Sequence, residues 1–192
     1  MSETRVELPL VEGRTCGSCT VCCVTPAIDE KLMQKLPGVP CRHLGSDHRC
    51  AIYESRYPTC RAFYCGFRQF SWIPAAMRPD QCGVLVVTRM LHAAGEARLA
   101  AIFVVLQEDA LASDGLVPSV IAAVRQELRV VLSVPGPPGY VATRTDLSDE
   151  LLMPVMMRDK REILEILRET YARAKTIART PVVFGDAAGP ES

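Results

Sequence analysis

The sequence predicts an α+β fold: a loop-rich, cysteine-bearing half, then a small antiparallel sheet packed with two or more helices. Three observations predict it. Eight of the nine cysteines fall between Cys16 and Cys65, in a segment punctuated by glycine and proline. Two runs rich in β-branched residues, 83–92 and 98–106, flank Ala93-Ala94-Gly95-Glu96, a hairpin pattern. Beyond them, apolar residues recur at helical spacing over 117–131 and again over 147–175.

Length and charge bound the rest. A chain of 192 residues suits one domain, or one domain with a small appended module. Hydrophobic residues make up 48% of it, enough for a core. Lys+Arg and Asp+Glu both number 22, so no surplus of basic groups exists for bulk nucleic-acid or anionic-membrane binding. The first twelve residues lack a basic stretch followed by an apolar one, and the longest apolar run, 99–106, is too short to span a bilayer. The expected location is the cytoplasm, where thiols stay reduced. A dense cysteine cluster there points to a metal site rather than a disulfide framework.

Taken in order, residues 5–8 alternate as a short strand would, or form a loose arm. Residues 16–25 are the first ligand segment. Residues 27–36 read as a helix, with Asp29 as cap and Ile28, Leu32 and Leu36 on one face, stopped by Pro37-Gly38. The second ligand segment, 41–65, has a turn at Gly45-Ser46-Asp47-His48 joining 41–44 to 49–53. It continues with a short helix over 51–57 ended by Pro58. Phe63 and Tyr64 are expected to wall the site from water. Trp72, the sole tryptophan, reads as the anchor that packs the cysteine module on the rest. Val120, Val124, Leu128 and Val131 share a face of the helix over 117–131, with Pro118 in its first turn. Segments 130–134 and 140–145 read as strands around Pro135-Gly136-Pro137-Pro138-Gly139. The helix over 147–175 is capped by Asp146, kinked or split at Pro154, and striped by Ile163, Leu167 and Tyr171.

The cysteines carry the chemistry. Cys-x-x-Cys lets two thiolates chelate one metal, with N–H groups of the turn pointing at the sulfurs. Repeated, it offers Cys16, Cys19 and Cys22 as three ligands. Cys23 follows directly; on an extended chain its side chain diverges from that of Cys22, which assigns it to a second metal or another iron of a cluster. Cys41, Cys50, Cys60 and Cys65 complete the set. Eight thiolates fit two four-ligand sites of zinc or [4Fe–4S] type, or one site and four structural or redox-active thiols. Four thiolates around one Zn²⁺ leave a formal charge of about −2. Arg42, Arg49, Arg56 and Arg61 lie near the ligands; Arg56 and Arg61 are the candidates for contacting the bound group. His43 and His48 are minor ligand candidates. His92 and Cys82 read as packing residues.

The pattern Cys16-x-x-Cys19-x-x-Cys22-Cys23, then Pro40-Cys41-x-x-Leu44, Cys50-x-Ile52-Tyr53-x-x-Arg56 and Cys60-Arg61-x-Phe63-x-Cys65, resembles the YkgJ-type cysteine-cluster family. The flagellin lysine N-methylases are similar in the same cluster. The resemblance covers about residues 14–70 and implies a zinc- or iron-chelating module, of a kind labelled an Fe–S oxidoreductase. Tyr57 separates Arg56 from Pro58, where the family places proline directly after the arginine. Residues 83–177 carry no such likeness and are expected to pack with the module as one globular unit. No glycine-rich nucleotide or S-adenosylmethionine loop and no hydrolase constellation is present, so methylase activity is not carried over. The expected function is metal binding through clustered thiolates, with Fe–S redox chemistry as the implied activity. A structural zinc module presenting a binding surface and a thiol redox sensor are the alternatives.

Overall fold

In the computed structural model, which describes residues 2–4, 8–93 and 96–184, the first half of the chain is built from short pieces. Strand β1 (Ser2–Thr4) and helix α1 (Val21–Val24) are followed by β2 (Ile28–Glu30) and β3 (Met33–Lys35). Then come α2 (Pro58–Arg61), α3 (Gly66–Gln69), a 3₁₀ turn at Ala75–Met77 and α4 (Pro79–Cys82). The second half has longer elements: β4 (Val84–Ala93), β5 (Glu96–Val105), a 3₁₀ turn at Glu108–Ala112 and α5 (Leu116–Arg125). It ends with β6 (Arg129–Val134), β7 (Thr143–Asp146), α6 (Ser148–Met157) and α7 (Lys160–Thr176). The class is α+β, as expected.

The main sheet has the order β1-β4-β5-β6-β7, and β2 pairs with β3 in a separate ribbon. Pairing is antiparallel except between β5 and β6, which run parallel. That parallel pair departs from the all-antiparallel expectation. The cause is α5, which carries the chain back across the sheet before β6 begins.

Both faces of the sheet are covered, so its central strands are apolar at successive positions. On one face Val84, Val86, Ala101, Phe103 and Leu132 pack against Leu116 and Val120 of α5, Leu151 of α6, and Ile163 and Leu167 of α7. On the other, Leu85, Val87, Ile102 and Val104 receive Val21, Phe63 and Cys65 from the cysteine-rich half. The sheet is therefore the floor on which the thiol segments are laid. Gly66 permits this approach: a Cβ there would meet Val86 Cγ1 at 2.8 Å and Ile73 Cδ1 at 2.9 Å. Trp72 stacks on Phe70 at 4.6 Å between ring centroids and packs on the helical-face core, in its expected anchoring role.

Several expected elements are corrected. Residues 27–36 form no helix but the β2–β3 hairpin, with Ile28 opposite Lys35. Met33 and Lys35 are buried on one face while Gln34 is exposed, and Leu32 is 69% exposed in the turn. A period of two thus overrides the i, i+4 spacing. Asp29 accepts from Gln34 Nε2 across the ribbon rather than capping a helix. Residues 51–57 are turns, and Pro58 begins α2 instead of ending a helix, as its fixed φ and missing N–H favour. The helix expected over 117–131 ends at Arg125; Glu127 has φ 57, and Val131 lies in β6. The final helix is split at Arg158-Asp159 rather than at Pro154, which sits within α6. Asp159 accepts from the N–H groups of Arg161 and Glu162 and starts α7 afresh. The strand expected at 140–145 is β7, and Asp146 Oδ1 accepts the Ser148 N–H at the start of α6. The strand expected at 5–8 falls mainly outside the described residues, and Leu8 is not in a strand; so does the turn at Ala94-Gly95.

Candidate metal centre

The first thiol segment is a chain of tight turns. Cys19 N–H donates to Cys16 O at 3.0 Å, and Gly17 between them has φ 55, which glycine adopts without cost. Cys23 N–H donates to Thr20 O at 2.8 Å as α1 begins. The second segment is tied to the first by Cys41 N–H donating to Cys23 O at 2.9 Å. The turn expected at 45–48 is present: Leu44 bridges Cys50, and Gly45 N–H donates to Arg49 O. α2 and α3 then present Cys60 and Cys65.

All nine cysteines are free thiols of intermediate exposure. The electrostatic influences among the sulfurs link eight of them into two neighbourhoods that overlap at Cys22 and Cys23. Cys22 feels Cys23 most, then Cys16 and Cys19; Cys19 feels Cys65, and Cys65 feels Cys16. Cys60 feels Cys41, Cys23 and Cys50. The sets Cys16/Cys19/Cys22/Cys65 and Cys23/Cys41/Cys50/Cys60 meet at Cys22 and Cys23. There the backbone is helical, not extended, and the two thiols influence each other's protonation. Among the described residues, no three His, Cys, Asp or Glu side chains converge as they would around one metal ion. The sulfurs are gathered rather than closed on a point.

The surroundings of the sulfurs carry positive charge and N–H donors. Backbone N–H groups of Val21 and Asp80 serve Cys19, and those of Phe67 and Arg68 serve Cys65. Burial still dominates: it pushes Cys19 up to about 11 and raises Cys60 and Cys65. At the junction, the neighbouring thiols act on each other, raising Cys22 and lowering Cys23.

Two cations that sequence reasoning missed stand near the thiols. Lys35 is only 6% exposed, and its Nζ donates to Val24 O at 2.8 Å, Leu36 O at 3.1 Å and Val39 O at 3.1 Å. Burial lowers its pKa, opposed by Cys41, Cys23, Cys22 and Cys60. Arg68 Nη1 lies 3.7 Å from Cys16 Sγ, while its buried Nε has no hydrogen-bond partner. A lysine at the inward end of a period-two ribbon is a sequence signal for Lys35; Arg68 has none. Arg14, also missed, holds the frame: it donates to the carbonyls of Phe67 (2.8 Å), Phe70 (2.9 Å) and Ile73 (2.7 Å).

The arginine candidates divide. Arg56 faces Cys23 electrostatically, although its guanidinium sits 3.9 Å over the Tyr53 ring and donates to Tyr53 O. Arg61 points into a surface cleft of about 430 Å³ with Leu8, Tyr64 and Gln69, and no contact joins it to a sulfur among the described contacts. His43 is engaged by Arg42 at 3.2 Å and Tyr57 at 3.5 Å, and His48 is an exposed turn residue with φ 57. Cys82 bonds the backbone of Val84 and packs on the core. Phe63 packs under the site on the sheet, while Tyr64 is exposed.

Thiols with N–H groups and cations nearby are donors of the kind that soft or borderline metals take. Among the described residues no helix is long and apolar enough to cross a membrane. No protein-family model matches the chain, and no curated protein or solved structure matches it either.

Proposed function

We propose that this protein binds metal at two thiolate centres, one held by Cys16, Cys19, Cys22 and Cys65 and the other by Cys23, Cys41, Cys50 and Cys60. What supports the reading is that Cys60 is influenced by Cys41, Cys23 and Cys50, while influences also run among Cys16, Cys19, Cys22 and Cys65, with Cys22 and Cys23 joining the two neighbourhoods. Four thiolates are a complete shell for Zn²⁺ and for a [4Fe–4S] cluster. Lys35 and Arg68 offset the negative charge that either group leaves, and the N–H groups at Cys19 and Cys65 do the same work at shorter range. The likeness of the cysteine pattern to the YkgJ-type family supports the same reading, and with it a reducing, cytoplasmic setting.

Bound zinc would fix the loop-rich half on the sheet; a bound cluster would add one-electron chemistry. Metal analysis and a visible spectrum on anaerobically purified protein separate the two. Iron with acid-labile sulfide and a brown colour that bleaches on reduction marks clusters; stoichiometric zinc in colourless protein marks the structural form. A fully folded chain with neither metal refutes the proposal.

A further inference from the structure

Across the sheet from the thiols, α5 ends, α6 ends and α7 begins around one cleft of about 390 Å³. Its floor is apolar, from Pro118, Ile121 and Val155. Its rim carries Arg125, Arg158 and Lys160, with Gln126 beside them, and no acidic side chain lines it. None of the three cations takes part in an ion pair among the described residues. The neighbouring acid, Asp159, accepts the N–H groups of Arg161 and Glu162 at its Oδ1.

Helix-end electrostatics explain part of this only. Cations at the ends of α5 and α6 complement the helix dipoles, but Lys160 opens α7, where a cation is disfavoured. Arg158 holds a left-handed conformation, φ 59, at a helix end where glycine is the low-strain choice. Three formal positive charges over an apolar floor match a ligand with two charges on one small head and a hydrocarbon body. Guanidinium groups suit the oxygen geometry of such a head.

We propose that this cleft binds a phosphate monoester carrying an apolar group, either a soluble ester or a lipid headgroup. The site is independent of the metal centres, and its failure leaves them untouched.

The test uses the full chain titrated with phenyl phosphate, inorganic phosphate and benzyl alcohol, and sedimented with vesicles containing phosphatidic acid. Phenyl phosphate should bind one to one, about tenfold tighter than inorganic phosphate, and benzyl alcohol should not bind. Lys160→Glu and Arg158→Gly should each weaken phenyl phosphate at least tenfold. Arg158→Gly relieves the left-handed backbone, so it should hold or raise the melting temperature while binding falls, which separates the site from the fold. Phenyl phosphate binding without sedimentation identifies a soluble ester; sedimentation abolished by both variants identifies a headgroup. Equal affinity for phenyl and inorganic phosphate, unchanged affinity in both variants, or no response to ester or vesicle would overturn the proposal.

Discussion

Cys22 and Cys23 are neighbours on α1 that raise and lower each other's pKa, although the proposed centres assign them to different sets. One turn of α1 therefore stands between both proposed centres. Any change at Cys22 or Cys23 is felt by both, whereas Cys65 and Cys50 each belong to one set.

Lys35 faces the thiols where the two sets meet. Lys35→Met strands three part-buried carbonyls and removes the charge that faces Cys41, Cys23, Cys22 and Cys60. The loss should be about 1–3 kcal/mol in urea unfolding. Metal at the second centre should also become easier to remove with a chelator. Unchanged stability and unchanged chelator resistance would remove Lys35 from the site.

Arg14 acts at a distance from the sulfurs. Its guanidinium gathers the carbonyls of Phe67, Phe70 and Ile73 and lies 5.1 Å from the centre of the Phe67 ring. Arg14→Ala should cost about 2–3 kcal/mol, with Arg14→Lys recovering only part of it, because one ammonium cannot span the fork. Equal midpoints for the two variants would contradict this geometry.

Asp146 gives the sheet edge a pH dependence. Burial pushes its carboxyl up, but hydrogen bonds from Ser148 and the Arg129 ion pair outweigh that and hold it below the usual value. A lowered folded-state pKa means the contribution is present above the unfolded value of about 3.9 and lost as pH falls through the folded one. Solvent screening holds it to about 0.5–1 kcal/mol. Asp146→Asn should lower stability at pH 7 by this amount and flatten the acid limb. A variant that tracks the parent chain at every pH would show the pair contributes nothing.

The β4–β5 pairing was readable in the sequence because two β-branched runs flank Gly95, and each strand is long enough to outweigh chance. The stripe Ile163, Leu167 and Tyr171 is buried on α7 as its spacing requires. The β2–β3 ribbon was not readable: its strands have three residues each, and Ile28, Leu32 and Leu36 happen to share a helical spacing. The parallel β5–β6 pair was hidden because periodicity runs from α5 straight into β6. In the site, the eight cysteines were visible as a cluster, but their grouping was not. It depends on α3 returning Cys65 to Cys16 and on Cys41 bonding the backbone at Cys23. Arg68 and Lys35 reach the thiols through tertiary contacts that no local spacing encodes.

The division into two centres is tested most directly by counting metal per chain in Cys65→Ser and Cys50→Ser, purified without oxygen beside the parent chain. Two centres in the parent should fall to one in each variant, and to none in the double variant. Loss of all metal in either single variant, or loss of none, would contradict two independent four-thiolate sites.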